Sequence, residues 1–259
     1  MDIDLAQLLG VWERLLWPLL RIGAVMMSAP VLGAQFVPAR VRLLLAVAMT
    51  LALFPVLPAP PVLAVFSAPW FLAVAQQLVV GVAMGFALQL VFEAVLVGGE
   101  LASYGMGLSF ATLADPLNGE DISALSQLFL VLATLLFLAL DGHHVLILAM
   151  ADSYRTLPVG QGLPPDLPMK LVQFAGQTFS GGLAIALPAV IALLVVNLSF
   201  GFVSRAAPSL NLFSIGFPLT LLFGLVVLAL TLPALQSGLN AALERGWLLI
   251  ADLTRAPHG

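Results

Sequence analysis

Between Leu43 and Phe92 the chain carries no Asp, Glu, Lys or Arg, and the same holds from Leu171 to Ser204 and from Ala206 to Leu243. Each run exceeds the roughly 20 residues a helix needs to cross hydrocarbon. A soluble domain gives about one quarter of its residues to charge. This chain gives 8% to charge and 61% to hydrophobic side chains, with a mean hydropathy of +1.11. A soluble surface cannot be built from such a composition. Inside lipid each backbone polar group must be satisfied within its own segment, which an unbroken apolar run achieves as a helix. The expected class is therefore all-α and polytopic.

Turn signals divide the apolar runs into about six helical segments: roughly 5–32, 41–57, 70–97, 122–140, 171–203 and 212–235. A shorter amphipathic helix and tail follow over 236–259, continuing a stripe in which Leu235, Leu239, Leu243, Trp247 and Ile250 recur at spacings of four and three. One domain, 1–259, thus reads as first helices (1–97), a connecting stretch (98–121), later helices (122–235) and an amphipathic tail. The acidic start, MDIDLAQLLG, lacks the cationic region of a removable signal peptide, so the first segment is expected to be retained.

Several features depart from simple membrane crossings. Glu13, Arg14 and Arg21 lie in the first segment, where lipid exposure would be costly. The third segment would be about 42 Å long as a straight helix, beyond a hydrocarbon core of about 30 Å. Pro18, Pro30, Pro188, Pro218 and Pro233 fall in or near apolar helices, where each frees a carbonyl that needs a protein neighbour. With the N-terminus outside, inner connections hold Arg40, Arg42 and Arg205, and outer ones hold Arg155, Lys170, Arg245 and Arg255, so positive charge sets no orientation.

Gln77, Gly81, Gly85, Gln89 and Glu93 are spaced four apart and form an inclined ridge of small and polar residues. It suits an internal helix contact, a seam against another subunit, or an ion path through Glu93. Net charge −4 and a pI near 5.2 give no basic surface for nucleic acid. No cysteine is present, which removes disulfides and thiolate chemistry together. In DGHH, Asp141 and His144 are three apart and share a helical face, whereas His143 is expected to point elsewhere, so the reading is a polar helix cap with no metal. Nucleophile-elbow, zinc-helix and phosphate-loop patterns are absent, and no catalytic residue or cofactor is assigned. Residues 155–170 hold four prolines and read as a stiff exposed connection.

The stretch SYGMGLSFATLADPLNGED, 103–121, interleaves Met106, Leu108, Phe110 and Leu113 with Gly105, Gly107, Ser109, Ala111 and Thr112. A solvent loop is rarely so apolar. Glycine allows close backbone approach, and Met and Phe at a constriction exclude water and ions by dewetting. On residues alone the stretch is either a plain connector or such a constriction.

Four segments in order resemble one known family: WPLLRIGAVMMSAPVLGAQFVPARVRLLL (17–45), MGLSFATLADP (106–116), FLALDGHHVLI (137–147) and GFVSRAAPSLNLFSIGFPLTLLFGL (201–225). The chain is identified on them as a member of the FliR family of flagellar type III export-gate subunits, with counterparts in virulence secretion systems. The resemblance implies a non-enzymatic subunit that assembles with FliP and FliQ, and works with FlhB and FlhA, to pass unfolded flagellar proteins. It implies a location in the bacterial inner membrane, within the flagellar basal-body ring, with kinked helical hairpins arranged in a spiral. It also implies a lumen-facing plug at Met106, Gly107, Leu108, Ser109, Phe110, Ala111, Thr112, Asp115 and Pro116, and a helix break at Gly216, Phe217 and Pro218. DGHH stands where the family often has N-G-H-L, and Ser209 where Gln often follows Ala-Pro. The rival from residues alone is a secondary transporter or ion channel using Glu93 and Glu100; an intramembrane enzyme lacks a nucleophile paired with a base.

Overall fold

A computed structural model describes residues 5–33, 37–108, 122–206 and 216–256. Among these residues run seven α-helices and no strand: α1 (Leu5–Ser28), α2 (Ala39–Leu53), α3 (Ala68–Met106), α4 (Ala124–Ala139), α5 (Gly142–Thr156), α6 (Leu167–Ala206) and α7 (Phe217–Leu253). The all-α class expected from the charge-free runs is what forms. A short 3-10 turn, Phe54–Val56, ends α2; its proline and those at 58, 60 and 61 cannot continue a helix. Four helical stretches are long and apolar enough to cross a membrane: Ala39–Val56, α3, α6 and Pro218–Leu253. Taken together as one span, α4 and α5, bent by 66° at their break, would bring the number to five among the described residues.

Three element boundaries differ from the sequence expectation. The third helix runs on from 97 to Met106, at about 58 Å in all. The Gly98–Gly99 pair does not break it, because neighbouring helices come close there: a Cβ on Gly99 would lie 2.6 Å from Ser126 Cα, and one on Gly98 3.1 Å from Ile185 Cγ2. A helix, α5, also forms over Gly142–Thr156, where polar and apolar residues alternate too irregularly to stand out. Finally, no separate helix starts near 236: α7 continues through Pro233 to Leu253. The hydroxyl of Thr231 donates to the carbonyls of Val227 and Leu228 two residues before that proline.

The chain divides into two compact units. Unit 1 comprises Met1–Leu90, Phe137–Ala175 and Arg245–Gly259; unit 2 comprises Val91–Leu136 and Gly176–Glu244. In unit 1, α1 turns back into α2 through Val31, which has a φ of 67°. Arg42 holds that turn by donating to the carbonyls of Val37 and Gly33. The core of unit 1 gathers Trp17, Ala73, Tyr154 and Val159, with Trp70 6.1 Å from Trp17 between ring centres; large aromatic side chains contribute about 150–250 Å² of buried area each. Val159 and the fully buried Leu157 belong to the segment expected to be an exposed connection. Gln76 pins that segment, since its Oε1 accepts the amide of Gly160 at 2.8 Å and its Nε2 donates to the carbonyl of Gln161.

In unit 2 small residues set the spacing. Gly98 and Gly238 both pack on Ile185, Gly182 on Val97, and Gly105 on Leu193. Close approach of this kind is how apolar helices associate when there is little hydrophobic gain from leaving lipid. In the 18-residue window that qualifies each stretch as a span, 67% of α3 is buried by protein, against 11% for α2 and its turn, 22% for α6 and 17% for α7.

Candidate functional site

The site is built on the end of α3. Leu108 donates its amide to the carbonyl of Ser103, and Gly107 donates to that of Tyr104, at 3.2 and 3.1 Å. Together with a φ of 75° at Gly107, these two bonds form a Schellman termination, which satisfies the last carbonyls of a helix. A side chain with a Cβ is strained at that φ. Met106, the last helical residue, is 2% exposed and its sulfur and terminal methyl pack on Gly224 of α7. Asn197 of α6 donates its side-chain amide to the carbonyl of Gly105 at 3.0 Å. Thus α6 and α7 both hold the last turn of α3.

One turn earlier, Glu100 is tied to the start of α4. Its Oε1 accepts the amide of Ser123 at 2.7 Å and the hydroxyl of Ser126 at 2.8 Å. Ser123 is the N-cap of α4, and its own hydroxyl accepts the amide of Ser126 at 3.1 Å. In a capping box a Glu three residues into the helix reaches back to the N-cap amide. Here Ser126 fills that third position and the carboxylate comes from α3 instead. The negative charge complements the positive end of the α4 macrodipole.

Of the expected plug residues, Met106, Gly107 and Leu108 are placed as above; Ser109, Phe110, Ala111, Thr112, Asp115 and Pro116 lie outside the described residues. At the expected helix break, Gly216 precedes Phe217, where α7 begins, and its carbonyl accepts the hydroxyl of Thr220 at 2.9 Å. Pro218 falls in the first turn, where a missing N–H costs nothing.

The ridge residues separate along α3. A Cβ on Gly81 would collide with the carbonyl oxygen of Arg21 and with Ala24, and one on Gly85 with Ser28 and Ala29, so these glycines form a contact with α1 inside unit 1. Gln77 is fully buried, Gln89 is exposed and Glu93 is half-buried.

Gln77 leads to a constellation that the sequence does not advertise. Arg21 is 0% exposed. Its Nε donates to Gln77 Oε1 at 2.8 Å, one terminal nitrogen to the carbonyl and hydroxyl of Ser153 at 2.8 and 3.0 Å, and the other to the carbonyl of Leu157 at 2.9 Å. The guanidinium lies 4.1 Å from the centre of the Tyr154 ring. Among the described residues no carboxylate pairs with it. The two carbonyls belong to the end of α5, whose negative dipole end favours a cation, and the ring face adds a cation–π term. Fork geometry lets one planar group on α1 serve two further helices at once. The charge that looked misplaced in an apolar helix therefore ties α1, α3 and α5 together.

DGHH corrects one expectation. Asp141 takes a left-handed φ of 56° at the break before α5, and its carboxylate lies 3.0 Å from His144 Nδ1. Rather than pointing elsewhere, His143 holds its ring 4.1 Å from that of His144, tilted by 39°, and a ligand atom from each of the three residues falls within 4.8 Å of the others. They sit at a helix N-terminus, whose positive dipole end opposes a cation. At the start of α6, Lys170 bonds Asp166 and Asp252, each at 2.8 Å; the bond from Lys170 holds the exposed Asp166 carboxyl below its ordinary range.

Comparison with known proteins adds the relationship. The family described as Bacterial export proteins, family 1, matches residues 12–246. Flagellar biosynthetic protein FliR of Escherichia coli K12 is 41% identical over 240 residues, covering 92% of this chain and 91% of that protein. FliR of Pectobacterium carotovorum is 37% identical, covering 93% and 92% of the two chains, and FliR of Bacillus subtilis 28%, covering 85% and 86%. A match over residues 12–246, with relatives at this identity, places the chain: it belongs to the FliR family of bacterial export proteins.

Proposed function

We propose that the chain is a structural and gating subunit of the flagellar type III export apparatus, which forms with FliP and FliQ homologues the pore for unfolded flagellar proteins. Family membership supports a role in export rather than in chemistry. The observation that carries the gating reading is the anchorage of α3: the Schellman turn at Gly107, with Met106 packed on Gly224 and Glu100 tied to α4. A sealing segment needs a base that does not move when the seal yields, and the MGLSFATLADP motif starts on such a base. The seal itself would be formed by the apolar and small residues Ser109 to Thr112, with Asp115 and Pro116 leading out of it. FlhB and FlhA are the further partners of this reading, and the inner membrane at the basal body is its location.

The transporter reading draws on Glu93 and Glu100. Glu100 already accepts two hydrogen bonds in the α4 cap, which weakens it as a carrier of ions.

The choice of experiment rests on the placement of Met106. Because residues 106–108 are part of the helix termination, the deletion that tests the seal is 109–114. In a complex formed by coexpression with FliP and FliQ homologues, that deletion is expected to raise ion conductance across a bilayer while the complex keeps its size on a sizing column. Unchanged conductance in a correctly sized deletion complex would refute the seal. A chain that is monodisperse alone and moves a small solute into vesicles would refute the gate.

A further inference from the structure

Unit 1 carries a groove of about 730 Å³ that the gating role does not use. Its walls come from the end of α2 and its 3-10 turn (Leu53, Val56), from α5 and from the last turns of α7. On α5 the apolar Val145 and Leu148 precede Arg155, and on α7 the apolar Trp247 and Ile250 precede Arg255. The two helix ends lie side by side, because the amide of Ala256 donates to the carbonyl of Thr156 at 3.0 Å. The groove is therefore apolar toward one end and carries two arginines at the other. Val145 to Arg155 is a length of about 15 Å along the helix.

The charge at the basic end is balanced only in part, by Asp152, which also lines the groove. Arg155 stands 3.7 Å from Asp152, both largely exposed, and Arg255 has no ion-pair partner among the described residues. The apolar part is not covered either, since Leu148 is 69% exposed and Val56 55%. The helix that borders the groove is the one that protein covers least: the Ala39–Val56 stretch has 18 residues, a hydropathy of 1.8 and 11% burial. At 1.5 Å per residue it is about 27 Å long, close to the thickness of a hydrocarbon core. The groove lies at the end of this bilayer-length helix, where Leu53 and Val56 line it.

Taken together, the apolar trough, the paired guanidinium groups and the position at the end of a bilayer-length helix fit a ligand with a chain and an anionic head. We propose that the groove binds an anionic phospholipid, with its phosphate held by Arg155 and Arg255 and one acyl chain laid along Val145, Leu148 and Trp247. Guanidinium forks match phosphate oxygens in a bidentate manner, and basic pockets beside membrane helices take anionic headgroups. Trp247 suits a membrane boundary, where indole rings concentrate. The volume lies within the 300–1,000 Å³ usual for ligand sites.

Native mass spectrometry of the full-length chain in mild detergent, with equimolar phosphatidylglycerol and phosphatidylcholine added, tests this. The wild type is expected to retain phosphatidylglycerol on the order of tenfold over phosphatidylcholine, from the field of two arginines at a membrane surface. Arg155→Gln with Arg255→Gln should abolish that preference, whereas Arg14→Gln with Arg40→Gln should keep it. Ala149→Phe, which fills the trough and leaves both arginines in place, should lower retention of the lipid; soluble glycerophosphoglycerol should not compete. Circular dichroism and a sizing column report whether each variant is folded. Equal retention of the two lipids by the wild type, or a preference untouched by the double arginine change in folded protein, overturns the proposal. So does competition by the soluble headgroup, which would make this a plain anion site. The chain has no cysteine, so Leu148→Cys is a unique probe. Its efficient cross-linking to a coexpressed protein, with no lipid retained, would overturn the proposal in favour of a partner helix in the groove.

Discussion

In unit 1 the guanidinium of Arg21 donates to the carbonyls at the end of α5, and in unit 2 the carboxylate of Glu100 accepts the amide at the start of α4. The two arrangements are mirror images in charge: a cation on the negative end of one helix, an anion on the positive end of the other. They differ in depth. Arg21 is fully enclosed and has several neutral acceptors, while Glu100 is half-buried and shares its load with two serines. A buried charge cannot be left short of partners, so the first arrangement admits little change. The second has hydroxyls and solvent to fall back on.

That contrast can be broken most directly at Arg21. Arg21→Ala leaves Gln77, Ser153 and Leu157 without their donor, at about 1–3 kcal/mol for each unsatisfied group. Allowing for relaxation, we expect a loss of about 3–5 kcal/mol, seen as a lower thermal midpoint or lost folded yield in detergent. Arg21→Lys should recover only part of it, because an ammonium has no planar fork. If Arg21→Met were as stable as wild type, the hub would be no more than a filled space. Next in size, Gly85→Leu should force α1 from α3 at a cost of about 1–3 kcal/mol; a neutral result would show that the close contact of those helices is unimportant.

On the other side of the comparison, Glu100→Ala should cost about 1 kcal/mol, the usual value of a lost N-terminal cap. The loss should be local, with faster hydrogen exchange at Ser123 to Gln127 and none at α5. Glu100→Gln keeps an acceptor and should lose less. Smallest of all is the pH response of the Asp166–Lys170 pair. The bond from Lys170 depresses the folded carboxyl relative to the unfolded one, so its contribution is present at neutral pH and fades as pH falls through the folded value. Thermal midpoints measured across the acid range should show this difference between wild type and Lys170→Ala, and equal acid sensitivity of the two would remove the pair from the account.

The same comparison shows what could be seen in the sequence. Charge-free runs are a local property, and they located α2, α3, α6 and α7 because hydrocarbon length imposes a minimum that short windows reveal. Nothing local marks α5, whose fifteen residues mix His, Asp, Ser and Arg with Leu, Ile and Met. Nor could Arg21 be explained before the fold was known. Its acceptors are 56, 132 and 136 positions away, and a sequence pattern at helical spacing reaches only a few residues. Glu100 meets its partners 23 and 26 positions on, across the 103–121 stretch. The family motifs were legible as words, but of MGLSFATLADP the described structure places only Met106, Gly107 and Leu108. The four-residue spacing on α3 was visible too, yet it could not tell that Gly81 and Gly85 face α1 while Gln89 is exposed.

The termination at Gly107 has a mechanical consequence. Its two backbone bonds and the left-handed φ set the direction in which the chain leaves the helix, and the neighbours of Met106 and Gly105 hold that point in place. A pull along the chain at Leu108 would load these two bonds and the Met106 contact before it reached the earlier turns of α3, so the helix end acts as a strain relief for the rest of the helix.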